Sequence, residues 1–218
     1  MPRLFLFFFL AAVSLTMSGC SSMYYNTMET FGKHKRDILA DRVVDARDEQ
    51  EEAKEEFADA LQQFKAVLNF EGGKLEQNYN KLNSEYEDCR DRAESVRDRI
   101  DSIEDVATAL FKEWEKELDD YKSAELRRSS ERQLRATRAK YDNLITAMRR
   151  VEQKMDPVLD AFHDQVLFLK HNLNAQAIAS LEGNLAGIQQ DVDILIAEME
   201  QSIAEANAFL DEMELAND

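Results

Sequence analysis

Two prolines and six glycines in 218 residues leave this chain with very few points at which a helix must stop. Proline removes a backbone donor and glycine costs conformational entropy, so their scarcity predicts long uninterrupted helices rather than a turn-rich β architecture. Only two cysteines are present, too few for a disulfide framework. Three histidines and one tryptophan complete the list of shortages. Basic residues are also outnumbered: 27 against 44 acids, for a formal net charge of −17. A body this acidic is repelled by phosphate backbones, so nucleic acid is not an expected partner. Hydrophobic content of 44 % nevertheless supports a packed core and argues against disorder.

What is present begins with Arg3 and the apolar run "LFLFFFLAAVSL", Leu4 to Leu15. A bilayer span needs about 20 residues, so this run suits the core of a secretory signal better than a membrane helix. It is followed by Met17-Ser18-Gly19-Cys20, which resembles the lipobox of bacterial lipoproteins. The resemblance implies that residues 1–19 are removed and that Cys20 is acylated on its thiol and its new amine. Met17 stands where leucine is usual in that motif. The plainer alternative is an ordinary signal cut nearby with an incidental cysteine. Ser21, rather than an aspartate, follows Cys20, which by the same analogy implies the periplasmic face of the outer membrane. Several acyl chains on one residue give the multiple anchoring signals that stable attachment needs. Cys20 is therefore expected to be an anchor, with residues 20–30 as the tether. Cys89 then has no partner in the mature chain, which excludes an intramolecular disulfide.

From there on, heptad ladders dominate. Stepping alternately by four and three from Leu75 gives Tyr79, Leu82, Tyr86, Cys89, Ala93, Val96, Ile100, Ile103, Ala107, Leu110, Trp114, Glu117 and Tyr121, interrupted only by Glu117. That is the pattern of a coiled-coil seam, with Cys89 acting as a small core residue. A first ladder runs from Leu39 through Val43, Ala46, Gln50, Ala53, Phe57, Ala60 and Phe64 to Val67. A third joins Tyr141 to Leu173 by way of Met148, Met155 and Phe162, and a fourth joins Ile178 to Met213 by way of Val192 and Ser202.

Three breaks separate the ladders. "FEGGK", Phe70 to Lys74, carries adjacent glycines suited to a reversal. "YKSAELRRSS", Tyr121 to Ser130, offers serines able to start a helix. Between Leu173 and Ile178 the ladder slips by five residues, with Asn172 and Asn174 as cap candidates. Pro157 suits a kink or a first-turn position. The reading is an all-α fold: an elongated antiparallel coiled coil, or up-down four-helix bundle of long helices, in one domain over residues 31–216. Its helices are expected over about 31–69, 74–121, 125–172 and 175–215. Near-equal lengths would let each helix return to the end where its neighbour began, in a rod of roughly 65 Å. Fusion of the last two segments into one very long helix is the alternative.

Charge is patterned too. Asp45 to Asp59 holds eight acids and two bases, and Lys122 to Lys140 holds seven bases and two acids. Helices one and three would run parallel, so these flanks are expected to face each other or, for the basic one, an external acidic partner.

Several stretches, "KRDILADRVVDARDEQEEA", "LRRSSERQLRATRAKYDNLITAMRR" and "MDPVLDAFHDQVLFLKHNLNAQAIASL", resemble the bacterial domain-of-unknown-function family 2959, from about Tyr24 to Met213. That resemblance implies a lipoprotein-like signal ahead of a helical body and supplies no catalytic residues. Members are sometimes labelled DNA-repair or ATPase-like. A P-loop needs glycines, a lysine and a following hydroxyl. The nearest lookalike, "NFEGGKL", has Leu75 after Lys74 and Leu68 at the upstream glycine position. Histidines 34, 163 and 171 do not form the paired Glu-x-x-His pattern of a di-iron bundle.

The expectation is therefore a non-enzyme without metal or cofactor: a periplasmic, lipid-anchored coiled-coil protein that works as a scaffold for an envelope protein, with room for a homo-oligomer. The alternative is a membrane-proximal module that binds anionic lipid through "GKHKRD", with Lys33, Lys35 and Arg36 as its charges and His34 as a pH-sensitive neighbour. Tyr24 and Tyr25 would then lie at the interface.

Overall fold

A computed structural model describes residues 34–68, 75–172 and 175–215. Four helices account for nearly all of them: α1 (Lys35–Leu68), α2 (Leu75–Glu117), α3 (Ala124–His171) and α4 (Ala175–Leu215). Among the described residues there is no strand. Each helix packs on two others, α1 on α2 and α4, and α3 on α2 and α4. The result is an antiparallel four-helix ring in which α1 and α3 lie across the diagonal.

The ladders form the core. Every position of the first, from Leu39 to Val67, is buried, including Gln50. In α2 the buried line runs from Leu82 through Cys89, Val96 and Ile103 to Leu110, and in α3 from Leu144 through Met155 to Leu169. α4 contributes Leu181, Ile188, Val192, Leu195, Met199, Ser202, Ala206, Phe209 and Met213. Two polar side chains interrupt this core, Gln50 and Ser202, and neither makes a hydrogen bond. Arg47 bonds Asn207 at 3.1 Å, which puts Gln50 and Ser202 within about a turn of the same level. An unsatisfied polar group at a seam position costs stability, and its best-attested use is to fix the register of the helices.

Helix ends follow local chemistry. The Ser123 hydroxyl accepts from the Leu126 N–H at 3.3 Å and caps α3. At the other end Asn172 donates its N–H to the Leu169 carbonyl and its side-chain amide to the Phe168 carbonyl, at 3.1 and 3.0 Å. α3 and α4 pack against each other, which one straight helix cannot do, so the two segments are separate helices. Pro157 sits inside α3 rather than in its first turn. It and Gln153, whose carbonyl loses a donor, are both exposed, so that carbonyl is open to water. "FEGGK", Leu173 and Asn174 lie outside the described residues.

Two expectations need correcting. The helices are of unequal length: 34 residues in α1, 43 in α2, 48 in α3 and 41 in α4. The flanks Asp45–Asp59 and Lys122–Lys140 do not face each other, because the ring order sets α1 and α3 on a diagonal. The acids of α1 meet bases of α2 instead. Arg92 reaches Glu49 and Glu52 at 2.7 Å, and Arg99 reaches Asp45 at 3.5 Å. On the next flank Arg149 of α3 holds Asp101 and Glu104 of α2 at 2.6 Å.

Candidate functional site

Antiparallel order brings the first turn of α1, the last turns of α2 and α4 and the first turns of α3 to one end, the base of the bundle. Lys35 is 5 % exposed and pairs with Glu113 at 3.1 Å. Arg36 donates to the Met213 carbonyl at 3.2 Å, one of the last carbonyls of α4. Lys140 of α3 pairs with Glu212 of α4. These contacts set the level at which α1 begins. α3 runs on past it, from its start at Ala124, by roughly a dozen residues or about 18 Å. The base is therefore stepped, with the α2–α3 turn protruding.

Below the step lies a cleft of about 450 Å³. Its apolar surface comes from Leu110, Trp114, Tyr121, Leu126, Phe209 and Met213. Trp114 is held in place by its indole N–H, which donates to the Ser130 hydroxyl at 2.8 Å. Behind it Arg138 stacks over the Phe111 ring, 4.9 Å from its centroid, and reaches Glu115 at 2.7 Å. Phe111 in turn meets Tyr141 edge-on at 5.3 Å. Burial pushes the Tyr141 hydroxyl up to about 12, with Glu104 and Asp142 adding to the shift, so it stays protonated and neutral. Of the charged side chains at the cleft wall, Lys140 and Glu212 pair with each other, and Arg36 donates to the Met213 carbonyl. The cleft thus offers apolar surface and hydroxyls, with the Arg36 guanidinium at its edge.

The residues singled out by sequence fall as follows. Cys20 and Lys33 lie outside the described residues. His34 is exposed just ahead of α1, while Lys35 and Arg36 are engaged in the bonds just described and do not form an open patch with it. His163 stacks against Tyr86 at 5.4 Å, and His171 is exposed at the end of α3. Cys89 is fully buried, and desolvation first, then Glu56 and Glu85, raises its thiol far above the ordinary range. No group of three or more histidines, cysteines and carboxylates suited to a metal occurs among the described residues. None of their helices is long and apolar enough to cross a membrane.

Sequence reasoning missed the protruding turn and its cleft. Its signal is the dense "YKSAELRRSS", with Tyr121 and Leu126 inside it, which spacing reads as a break and as the start of a basic flank.

An antiparallel four-helix bundle with an ion-paired exterior and a stepped base is the class that fold and surface define. The chain belongs to the family described as Protein of unknown function (DUF2959), which matches residues 24–213. No curated protein and no solved structure matches it.

Proposed function

We propose that the protein is a lipid-anchored rod of the bacterial cell envelope, held by Cys20 at the periplasmic face of the outer membrane, whose role is structural or protein-binding. The observation that carries this reading is the place where α1 begins. His34 lies at one end of the bundle, so an anchor fourteen residues earlier, at Cys20, would hold the rod by its base and direct the α1–α2 and α3–α4 links away from the membrane. The continuous core supports the same reading, since a rod that presents a distant surface must resist bending. Such a protein acts by position: the lipid fixes one end, and a partner meets the flanks or the far end.

The experiment is membrane fractionation of the native protein beside Cys20→Ala, with mass spectrometry of the mature N-terminus. Acylated Cys20 in the outer-membrane fraction, lost in the variant, is the expected result. An unmodified N-terminus that retains residues 1–19 in the soluble fraction would overturn the localisation. The second reading, lipid binding through Lys33, Lys35 and Arg36, loses support from the bonds that Lys35 and Arg36 make within the bundle. The basic surface of the base lies elsewhere.

A further inference from the structure

The stretch Lys122–Lys140 is the most basic part of an acidic chain, and its charges are not all spent inside the molecule. Arg127 pairs with Asp119 at 3.0 Å, Arg135 with Glu131 at 2.9 Å, and Arg138 with Glu115. Lys122, Arg128 and Arg132 are exposed and make no hydrogen bond or ion pair among the described residues. Arg128 and Arg132 are four apart on α3, so they share a face. At the same end stand two exposed apolar side chains, Tyr121 at 41 % and Leu126 at 59 %, the latter the most exposed large hydrophobic residue among those described; both line the cleft, and Arg128 and Arg132 lie on the other side of α3. All five belong to the protruding step, at the end of the bundle where α1 starts, and ring it from more than one side.

We propose that the α2–α3 turn is a membrane foot. Lys122, Arg128 and Arg132 bind the head groups of an anionic bilayer, and Tyr121 and Leu126 enter its interfacial layer. The proposal rests on the reading that the N-terminal segment holds the chain at a bilayer. Unpaired bases around a tip that also carries an amphipathic aromatic and an exposed leucine are the side chains that such a layer takes up.

The rest of the surface enforces the orientation. α4 carries nine acids and no base over its whole length, so an anionic bilayer repels the flank and attracts the foot, and the rod stands upright. Reach is sufficient. The fourteen residues from Cys20 to His34 span at most about 50 Å when extended, whereas the step is about 18 Å. The foot is therefore within reach of a surface that holds Cys20.

The test is hydrogen exchange over residues 118–128 of the full chain, mixed either with vesicles of phosphatidylglycerol and phosphatidylethanolamine or with phosphatidylcholine alone. Exchange should slow at least about fivefold with the anionic vesicles only. Lys122→Glu, Arg128→Glu and Arg132→Glu together should abolish that protection with the helical circular dichroism intact, since none of the three holds the fold. Equal exchange with both vesicle types would overturn the proposal, as would protection that survives the triple reversal. Protection that grows with protein concentration without vesicles would make the turn a contact between copies and overturn it too. Flotation with phosphatidylcholine vesicles reports the anchor separately. A chain that floats there but gains no protection keeps its anchor and loses the foot. A chain that fails to float there but is protected by anionic vesicles keeps the foot and loses the anchor.

Discussion

The flanks of the bundle and its base treat arginine differently. All four arginines of α2, at positions 90, 92, 97 and 99, end on carboxylates, whereas Arg128 and Arg132 in the first turns of α3 end on none. On the flanks, most of that charge records which helix lies beside which; at the base, where Arg127 still reaches Asp119, part of it has no partner among the described residues. The apolar residues divide in the same way. Phe57 and Phe64 disappear into the core, while Leu126 stays largely in water. Side chains of similar chemistry thus serve the fold in one region and are dispensable to it in the other.

That difference can be tested most sharply with paired substitutions. Phe57→Ala should cost about 3–5 kcal/mol, because a fully buried ring leaves a cavity among packed helices. Leu126→Ala should stay within about 0.5 kcal/mol. Urea denaturation of both variants measures the contrast, and equal losses would mean that the turn is part of the cooperative core. Next in size, Arg149→Met removes one guanidinium from Asp101, Glu104 and Glu152. Its loss should be about 1 kcal/mol and should shrink at high salt, since the network is partly exposed. Arg128→Met should cost nothing measurable under the same urea denaturation.

A small effect of opposite sign is expected at Glu56. Its carboxyl is raised above the ordinary value by partial burial first, then by Asp88 and Glu85 across the α1–α2 flank. A carboxyl raised in the folded state favours folding while protonated and opposes it as pH climbs through the folded value. Glu56→Gln should therefore melt about 1 °C higher at pH 7 and no differently below about pH 4, where wild type is protonated in both states. A gain that persists in acid would point to helix propensity rather than charge.

Much of this architecture is legible in the sequence because heptad spacing is a local property. Leu39 to Val67 and Leu82 to Leu110 read as seams from spacing alone, and they are buried. Glu117, the one break in the second ladder, is where α2 ends. What spacing does not contain is ring order, which depends on how four seams close around one another. The acidic flank of α1 and the basic flank of α3 were therefore matched by sign, although the ring sets them on a diagonal. Lys35 was read as a surface base for a similar reason. It lies one turn before Leu39, on the inward side, where Glu113, arriving from the end of α2, helps to make the position tolerable for an ammonium. The step at the base escaped because equal segment lengths imply flush ends, while α3 is 14 residues longer than α1.

The ring order also has a mechanical consequence. Chain entry at Lys35 and the last turn of α4 at Met213 sit at the same end, side by side. Pulling those two points apart would open the α1–α4 seam like a zipper, each layer yielding after the one before it at low force. Pulling Lys35 of α1 against the far end of α4, near Leu181, would load the same seam lengthwise, and every layer from Leu39 onward would share the force at once. The protein is therefore compliant between its own two ends and stiff along its axis.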